Sequence, residues 1–364
     1  MKKHRALKVI LIFLAVLLII TVAGGWWMFG TQLKAAGTIE RLEDHLYALE
    51  YRGDYGFDDF LSQGGASSDA QMADYIASFL SHGFWKPDAS ALPSPDFGCS
   101  TITVKDADGN MIFGRNYDWA DCDAMIVHTV PENGYESVST CCLDFLGFGE
   151  GWKPEGMMDK FLALAAVYIP LDGMNERGLC VADLMAGDET ETHQDTSKPD
   201  LTITSAIRLL LDQAATVDEA IDLLSRYDMN SSIGTAHHLS IADATGRCVV
   251  VEYIDGEMFV TEAPIVTNHY LTEGEKYGIG SAQSHLRYDT LSKRYAESGG
   301  VMSLEAVRNC LESVSQGNFP GSDELTQWSI VYVPSALTAD FYFRENYQRE
   351  YSAMLLDKSG WLFQ

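Results

Sequence analysis

Phe97-Gly98-Cys99-Ser100-Thr101-Ile102-Thr103-Val104 runs into a tight turn, Asp106-Ala107-Asp108-Gly109-Asn110, and then into Met111-Ile112-Phe113-Gly114-Arg115-Asn116-Tyr117-Asp118-Trp119. Two apolar, β-branched runs around an Asp/Gly/Asn turn predict a β-hairpin. Cys99 opens the first strand, and Arg115 and Asp118 close the second. A hairpin folds its ends together, so thiol, guanidinium and carboxylate are expected to meet. A nearby cation stabilises a thiolate, which makes Cys99 a candidate nucleophile. The ordinary alternative is a buried apolar side chain, because Cys99 is one of 7 cysteines and free cysteine usually packs as a small hydrophobe.

The chain has 364 residues, 46% of them hydrophobic and 21% charged, enough for one large domain or two smaller ones. A formal charge of -27 repels nucleic acid and anionic lipid, which excludes a nucleic-acid partner. The cysteines show neither CxxC spacing nor a zinc-type cluster with histidine, so no metal and no disulfide framework is expected. Cys141 and Cys142 are adjacent on an apparent strand and should point to opposite faces. No GxGxxG or Walker loop occurs, so no nucleotide cofactor is expected, nor any other.

Upstream of the hairpin, residues 1–8 are basic and Val9 to Leu33 carries no charge. About 20 apolar residues span a bilayer, and the basic side stays cytoplasmic. Residues 9–30 are therefore expected to be a transmembrane anchor, with Trp26-Trp27 at the interface, or else a cleaved signal. The catalytic domain would then lie outside the cell membrane, or be secreted if the segment is removed. Residues 31–98 are expected to be a helical pro-segment and linker. Ile39, Leu42, Leu46 and Leu49 are at helical spacing in Thr38 to Tyr51, and Met72, Tyr75, Ile76 and Phe79 follow a Ser67 or Ser68 cap. A Pro-bearing stretch, Lys86-Pro87 to Pro95, leads into Gly98-Cys99.

From Cys99 to the end, residues 99–364, strands come first. Further strands are expected at Ala124 to Val130, Ser137 to Leu143, Ala163 to Ile169 and Leu179 to Leu184. Asp144 to Asp159, rich in Gly and aromatics, reads as a loop, either walling a pocket or simply tacked to the surface. A helix pair follows, with Asp200 capping Leu201 to Ala215 and Thr216 opening Val217 to Tyr227. Strands resume at His238 to Ala242, Cys248 to Tyr253 and Glu257 to Thr261. Helices follow from Leu286 and from Ser303, then strands at Trp328 to Val333 and Ala339 to Phe343. Helices grouped between runs of strands argue for an α+β fold of antiparallel sheets with segregated helical layers.

This downstream part resembles the choloylglycine hydrolase family of linear amide C-N hydrolases, a group of N-terminal nucleophile (Ntn) hydrolases related to acid ceramidase-like and penicillin acyltransferase-like enzymes. The resemblance rests on Gly98-Cys99-Ser100 with Gly114 to Trp119, Gly173-Met174-Asn175-Glu176-Arg177-Gly178, Ile241 to Gly246, Val266-Thr267-Asn268-His269, His285-Leu286-Arg287-Tyr288 and Thr326 to Tyr332. It implies a four-layer αββα fold of two stacked antiparallel sheets between helical layers. It also implies that self-cleavage at Gly98-Cys99 makes Cys99 the mature N-terminus. An N-terminal cysteine carries its own base, an α-amine of reference pKa about 8.

By the same resemblance, the Cys99 thiol attacks an amide carbonyl and forms a thioester. Asp118 orients the α-amine, Arg115 supports the nucleophile, Asn268 donates to the oxyanion and Arg287 closes the site. Asn175 reads as a turn residue, and the lesser alternative for Arg115 with Asp118 is a purely structural ion pair. The substrate implied is a small-molecule amide with an apolar acyl part: an N-acyl amino acid, an acyl amine or a bile-salt-like conjugate. One departure bears on the last of these. Leu184-Met185 stands where bile-salt-type members carry a polar side chain, and a Met side chain donates no hydrogen bond. An acyltransferase using the same thioester and an unprocessed cell-surface binding module are the competing readings.

Overall fold

The structure is a computed structural model and describes residues 23–83, 98–148, 151–319 and 325–356. Residues 1–22, with the apolar run Val9 to Ile20, lie outside the described residues, as does Lys86 to Pro95. Among the described residues no helix is long and apolar enough to cross a membrane.

Residues 23–38 form α1, with Trp26 and Trp27 exposed and Ala35 and Ala36 buried. Thr38 to Tyr51 corrects the expected helix: it is a hairpin of β1 (Glu40–Glu43) and β2 (Leu46–Arg52). The turn between them is Asp44-His45, with His45 at φ 65. The chain continues through α2 (Phe57–Ser62) and α3 (Asp69–Ser81), the latter capped by Ser68 as the sequence suggests.

The hairpin around Cys99 forms as expected, from β3 (Gly98–Lys105) and β4 (Met111–Trp119). Then come β5 (Ala124–Val130), β6 (Ser137–Cys142), α4 (Met157–Leu162), β7 (Asp172–Asn175), β8 (Cys180–Met185) and the short β9 (Asp200–Thr202). Helices α5 (Ile203–Gln213) and α6 (Val217–Leu224) follow, then β10 (Asp228–Asn230), β11 (His237–Ala242), β12 (Cys248–Ile254), β13 (Glu257–Glu262) and β14 (Ile265–Val266). The last elements are α7 (Ala282–Ser298), α8 (Leu304–Ser313), β15 (Leu325–Val333), β16 (Thr338–Phe343) and β17 (Tyr351–Met354).

Two expectations downstream fail for local reasons. Ala163–Tyr168 is a fully buried 3-10 run rather than a strand, its small side chains packing close to the sheet. Thr202, not Asp200, caps α5: its hydroxyl accepts from Ser205 N–H, while Asp200 pairs with Asp228 in β10.

Two sheets carry the core. One has nine strands in the order β1-β2-β5-β6-β7-β8-β11-β12-β13, the other six in the order β14-β3-β4-β15-β16-β17. An apolar core that includes Phe113, Ile126, Leu184 and Trp328 lies between them. A second core, with Leu49, Val181, Leu210 and Ile76, joins the nine-stranded sheet to α3, α5 and α6. A third, with Ile102, Leu291, Val307 and Leu311, joins the six-stranded sheet to α7 and α8. The result is an α+β stack with helices on the outer face of each sheet. Strand alternation explains how one chain serves three cores: Cys141 packs toward the helices and Cys142 between the sheets.

Described residues before Cys99 belong to this stack, β1 and β2 in the nine-stranded sheet and α3 on its outer face. β2 lies between β1 and β5 and pairs with β5 in parallel, from Leu46 opposite Ala124 to Arg52 opposite Val130.

Candidate active site

β3 and β4 set the geometry. Gly98 lies opposite Asp118, Cys99 opposite Tyr117 and Thr101 opposite Arg115. Period-two alternation sends Cys99, Arg115 and Tyr117 into the space between the sheets, and Gly98 and Asp118 toward α7. Arg115 and Asp118 thus flank the Cys99 backbone from opposite faces of one sheet. All five residues singled out from the sequence come together here, and all are buried: Cys99 is 2% exposed, Arg115 and Asp118 0%, Asn268 6% and Arg287 1%.

The groups on the Asp118 side converge on the Cys99 peptide. Cys99 N–H donates to Asn268 Oδ1 at 2.6 Å. Arg287 Nη2 donates to the same oxygen at 2.8 Å, and Arg287 Nη1 to the Cys99 carbonyl at 2.5 Å. Asn268 Nδ2 donates to the Met185 carbonyl at 3.0 Å. Asn268 follows β14, which pairs with β3, and Arg287 sits in the second turn of α7, whose start is fixed by the Ser281 cap. Asp118 Oδ1 accepts from Thr326 Oγ at 2.6 Å; its Oδ2 accepts from Gln316 Nε2 at 3.1 Å and lies 3.4 Å from Arg287 Nη1. Burial outweighs these partners and pushes the Asp118 carboxyl up to about 6.

Arg115 is held rigidly between the sheets. Its Nε pairs with Asp172 at 3.0 Å, and Nη2 donates to the Asp183 carbonyl at 2.8 Å. Nη2 also lies 3.9 Å from Cys99 Sγ. The guanidinium stacks over Tyr117, 4.9 Å from the ring centre. Burial nevertheless dominates at the thiol and pushes it up to about 12, with Arg115 pulling down and Asp118 pushing up. Burial thus favours the neutral thiol over the thiolate.

Four buried residues here were not among the sequence candidates: Asp172, Asp183, Gln316 and Thr326. Asp172 takes Arg115, Trp328 Nε1 at 3.0 Å and the Tyr332 hydroxyl at 2.6 Å. Thr326 opens a stretch already noted for its likeness to the family, the one signal that pointed there. Asn175 is structural, as read: its amide bonds the Leu211 and Ala214 carbonyls and its Oδ1 accepts from Arg177 and Leu179 N–H. Among the described residues no group of three or more His, Cys, Asp or Glu could hold a metal ion.

Residues 99–295, more than half of the chain, match the linear amide C-N hydrolases of the choloylglycine hydrolase family. Penicillin V acylase from Pectobacterium atrosepticum is 32% identical over 100 residues, 24% of this chain and 26% of that one, so the match spans about a quarter of the relative's length. Two crystal structures of the conjugated bile acid hydrolase from Clostridium perfringens share the fold. Their TM-scores are 0.53 and 0.51, at 16% and 15% identity, each covering 71% of this chain and 92% of the other. This chain belongs to the choloylglycine hydrolase family of linear amide C-N hydrolases.

Proposed function

We propose that this protein hydrolyses a linear, non-peptide amide through the Cys99 thiol, after a self-made cut at Gly98-Cys99 frees the Cys99 amine. The observation that carries the reading is the convergence of Asn268 and Arg287 on the Cys99 peptide, with Asn268 Oδ1 2.6 Å from its nitrogen. These groups surround the atom that a cut would turn into an α-amine. Among the described residues no side-chain base is hydrogen-bonded to the thiol, so the freed amine, of reference pKa about 8, is the base the reaction needs.

The cut starts when Sγ adds to the Gly98 carbonyl carbon. The C–N bond breaks, the Cys99 nitrogen takes up the thiol proton beside the hydrogen it already bears and becomes an amine, and water hydrolyses the Gly98 thioester to a carboxylate and a free thiol. Position 98 has room only for glycine unless its neighbours move, because a Cβ there would lie 2.3 Å from Gln316 Nε2 and 3.1 Å from Asp118 Oδ2. In each later turnover the amine takes the thiol proton, Sγ adds to the substrate carbonyl, and the proton passes to the departing amine. Water then cleaves the thioester to release the acid. One Asn268 Nδ2 hydrogen is engaged by Met185, which leaves the other to donate to the oxyanion.

Relatives named for penicillin V and for conjugated bile acids support an acyl amide as the substrate. Met185 weighs against the bile-salt type. The basic residues 1–8 and the uncharged Val9 to Leu33 support a chain held at the cell membrane with its catalytic part outside. The test is hydrolysis of an N-acyl amide panel by the full chain beside Cys99→Ala. The reading requires acid release by the first and none by the second.

A further inference from the structure

We infer that Glu252 and His238 form a buried clamp that positions Asn268 against the Cys99 peptide. They act through the chain on either side of Asn268, as positioning residues. The inference rests on the amidase reading only for the use the reaction makes of Asn268.

The two residues face each other across neighbouring strands, His238 on β11 and Glu252 on β12. Leu239 and Ile241 pack on the helix side of the sheet, whereas Ala242 and Val250 pack between the sheets. Strand alternation therefore sends His238 and Glu252 into the inner space, and both are 0% exposed. Ser240, the next residue on that face, shares a hydrogen bond of 2.9 Å with Thr101, two residues from Cys99. Burial pushes the Glu252 carboxyl up, yet His238, Thr272 and Leu271 outweigh it and hold it down to about 2. An ionised carboxylate only accepts, so His238 Nδ1 donates to Glu252 Oε1, at 3.0 Å.

The other bonds of this carboxylate go to the loop that carries Asn268. Oε1 accepts from Leu271 N–H at 2.9 Å and Oε2 from Thr272 N–H at 2.7 Å. At its other end the loop leaves β14, where Val266 pairs with Thr101 of β3, and the Thr267 hydroxyl donates to the Ser284 carbonyl at 3.1 Å. Asn268 lies between these two anchors. A buried ion pair is often no more stabilising than apolar side chains of the same volume. What a carboxylate adds at this place is a pair of acceptor oxygens for two successive N–H groups. Placement is worth that cost, because a shift of about 1 Å at a reacting centre can cost about 100-fold in rate.

The test reads the residue 99 amide, whose acceptor is Asn268 Oδ1. Hydrogen exchange is followed by NMR at residues 99, 271 and 272 and along β5, in the full chain with Cys99→Ala, which lacks the nucleophile. Glu252→Gln puts a donor amide where an acceptor oxygen stood, and His238→Ala removes the ring. Each should speed exchange at all three residues at least about tenfold with β5 unchanged. His238→Asn, which keeps a donor near the Nδ1 position, should restore most of the protection. With Cys99 in place, kcat per cut chain, counted by intact mass, should fall about 100-fold in Glu252→Gln while KM stays within about twofold. His238→Asn should recover most of what His238→Ala loses. Unchanged exchange at residue 99 in a folded Glu252→Gln or His238→Ala chain overturns the inference. So does an unchanged kcat, or a His238→Asn chain no better than His238→Ala. A parent chain that hydrolyses no amide sinks the amidase reading alone, and exchange at residue 99 still decides the clamp.

Discussion

Gly98 is tightly constrained by its surroundings. A methyl group at that position meets the Gln316 amide at 2.3 Å, so Gly98→Ala should stop the cut, and Gln316→Ala in the same chain should restore part of it. Intact mass decides; a Gly98→Ala chain cut as fast as the parent contradicts the account. Arg115 carries a different prediction. It and Asp172 are both fully buried, and removing one partner of such a pair typically costs about 3–5 kcal/mol. Arg115→Ala should therefore lower stability to chemical denaturation by that order, well beyond Arg115→Lys. Asp118 sets a pH dependence. Its carboxyl is raised to about 6, so it is ionised above that value and neutral below it. In the cut chain, where Asp118 is expected to orient the α-amine, hydrolysis should fall as pH drops through about 6, and Asp118→Asn should be slow throughout with that step gone. At this scale the sequence is informative where residues are close along the chain: Cys99, Arg115 and Asp118 were legible from one hairpin. Asn268 and Arg287 were legible only through the family likeness. Thr326 lay only within a stretch noted for that likeness, and Gln316 and Asp172 were not legible, because a buried hydrogen bond to a residue so far along the chain leaves no local pattern.

β2 shows why a short apolar run misleads. Leu46 and Leu49 fit a helical spacing, yet Leu46–Arg52 is a strand between β1 and β5, buried on both faces at most positions. A strand covered on both faces loses its alternation, and periodicity then cannot tell it from a helix. His45 at positive φ makes the turn, and histidine is a weak turn signal. Ala163–Tyr168 misleads for the same reason, being buried at every position. Helix starts were easier, because Ser68, Thr216 and Ser303 advertise their caps through short-range hydrogen bonds. The β2 placement has a consequence. All seven residues of β2 pair with β5, so a cut at Gly98-Cys99 should leave two chains that stay together. Gel filtration should give one peak that holds both pieces, and denaturant should separate them. Pieces that part under native conditions would contradict the placement of β2.

The whole molecule is a stack of two sheets between helical layers, with the nucleophile at one end of the inner space. Its layering was legible in the grouping of helices between runs of strands. The sheet order was not, since it depends on pairings such as β2 with β5 that join distant parts of the chain. The charge of -27 should keep the protein off anionic surfaces at low salt, where a basic protein would bind. The central claim is that this buried, neutral thiol becomes an N-terminal nucleophile by the chain's own action. N-terminal sequencing with intact mass, on the folded full chain and on Cys99→Ala, tests it most directly. The expected result is a wild-type piece beginning at Cys99 and a Cys99→Ala chain that stays whole. A folded wild-type chain that also stays whole has no α-amine base, and the proposed chemistry would then be wrong for this protein.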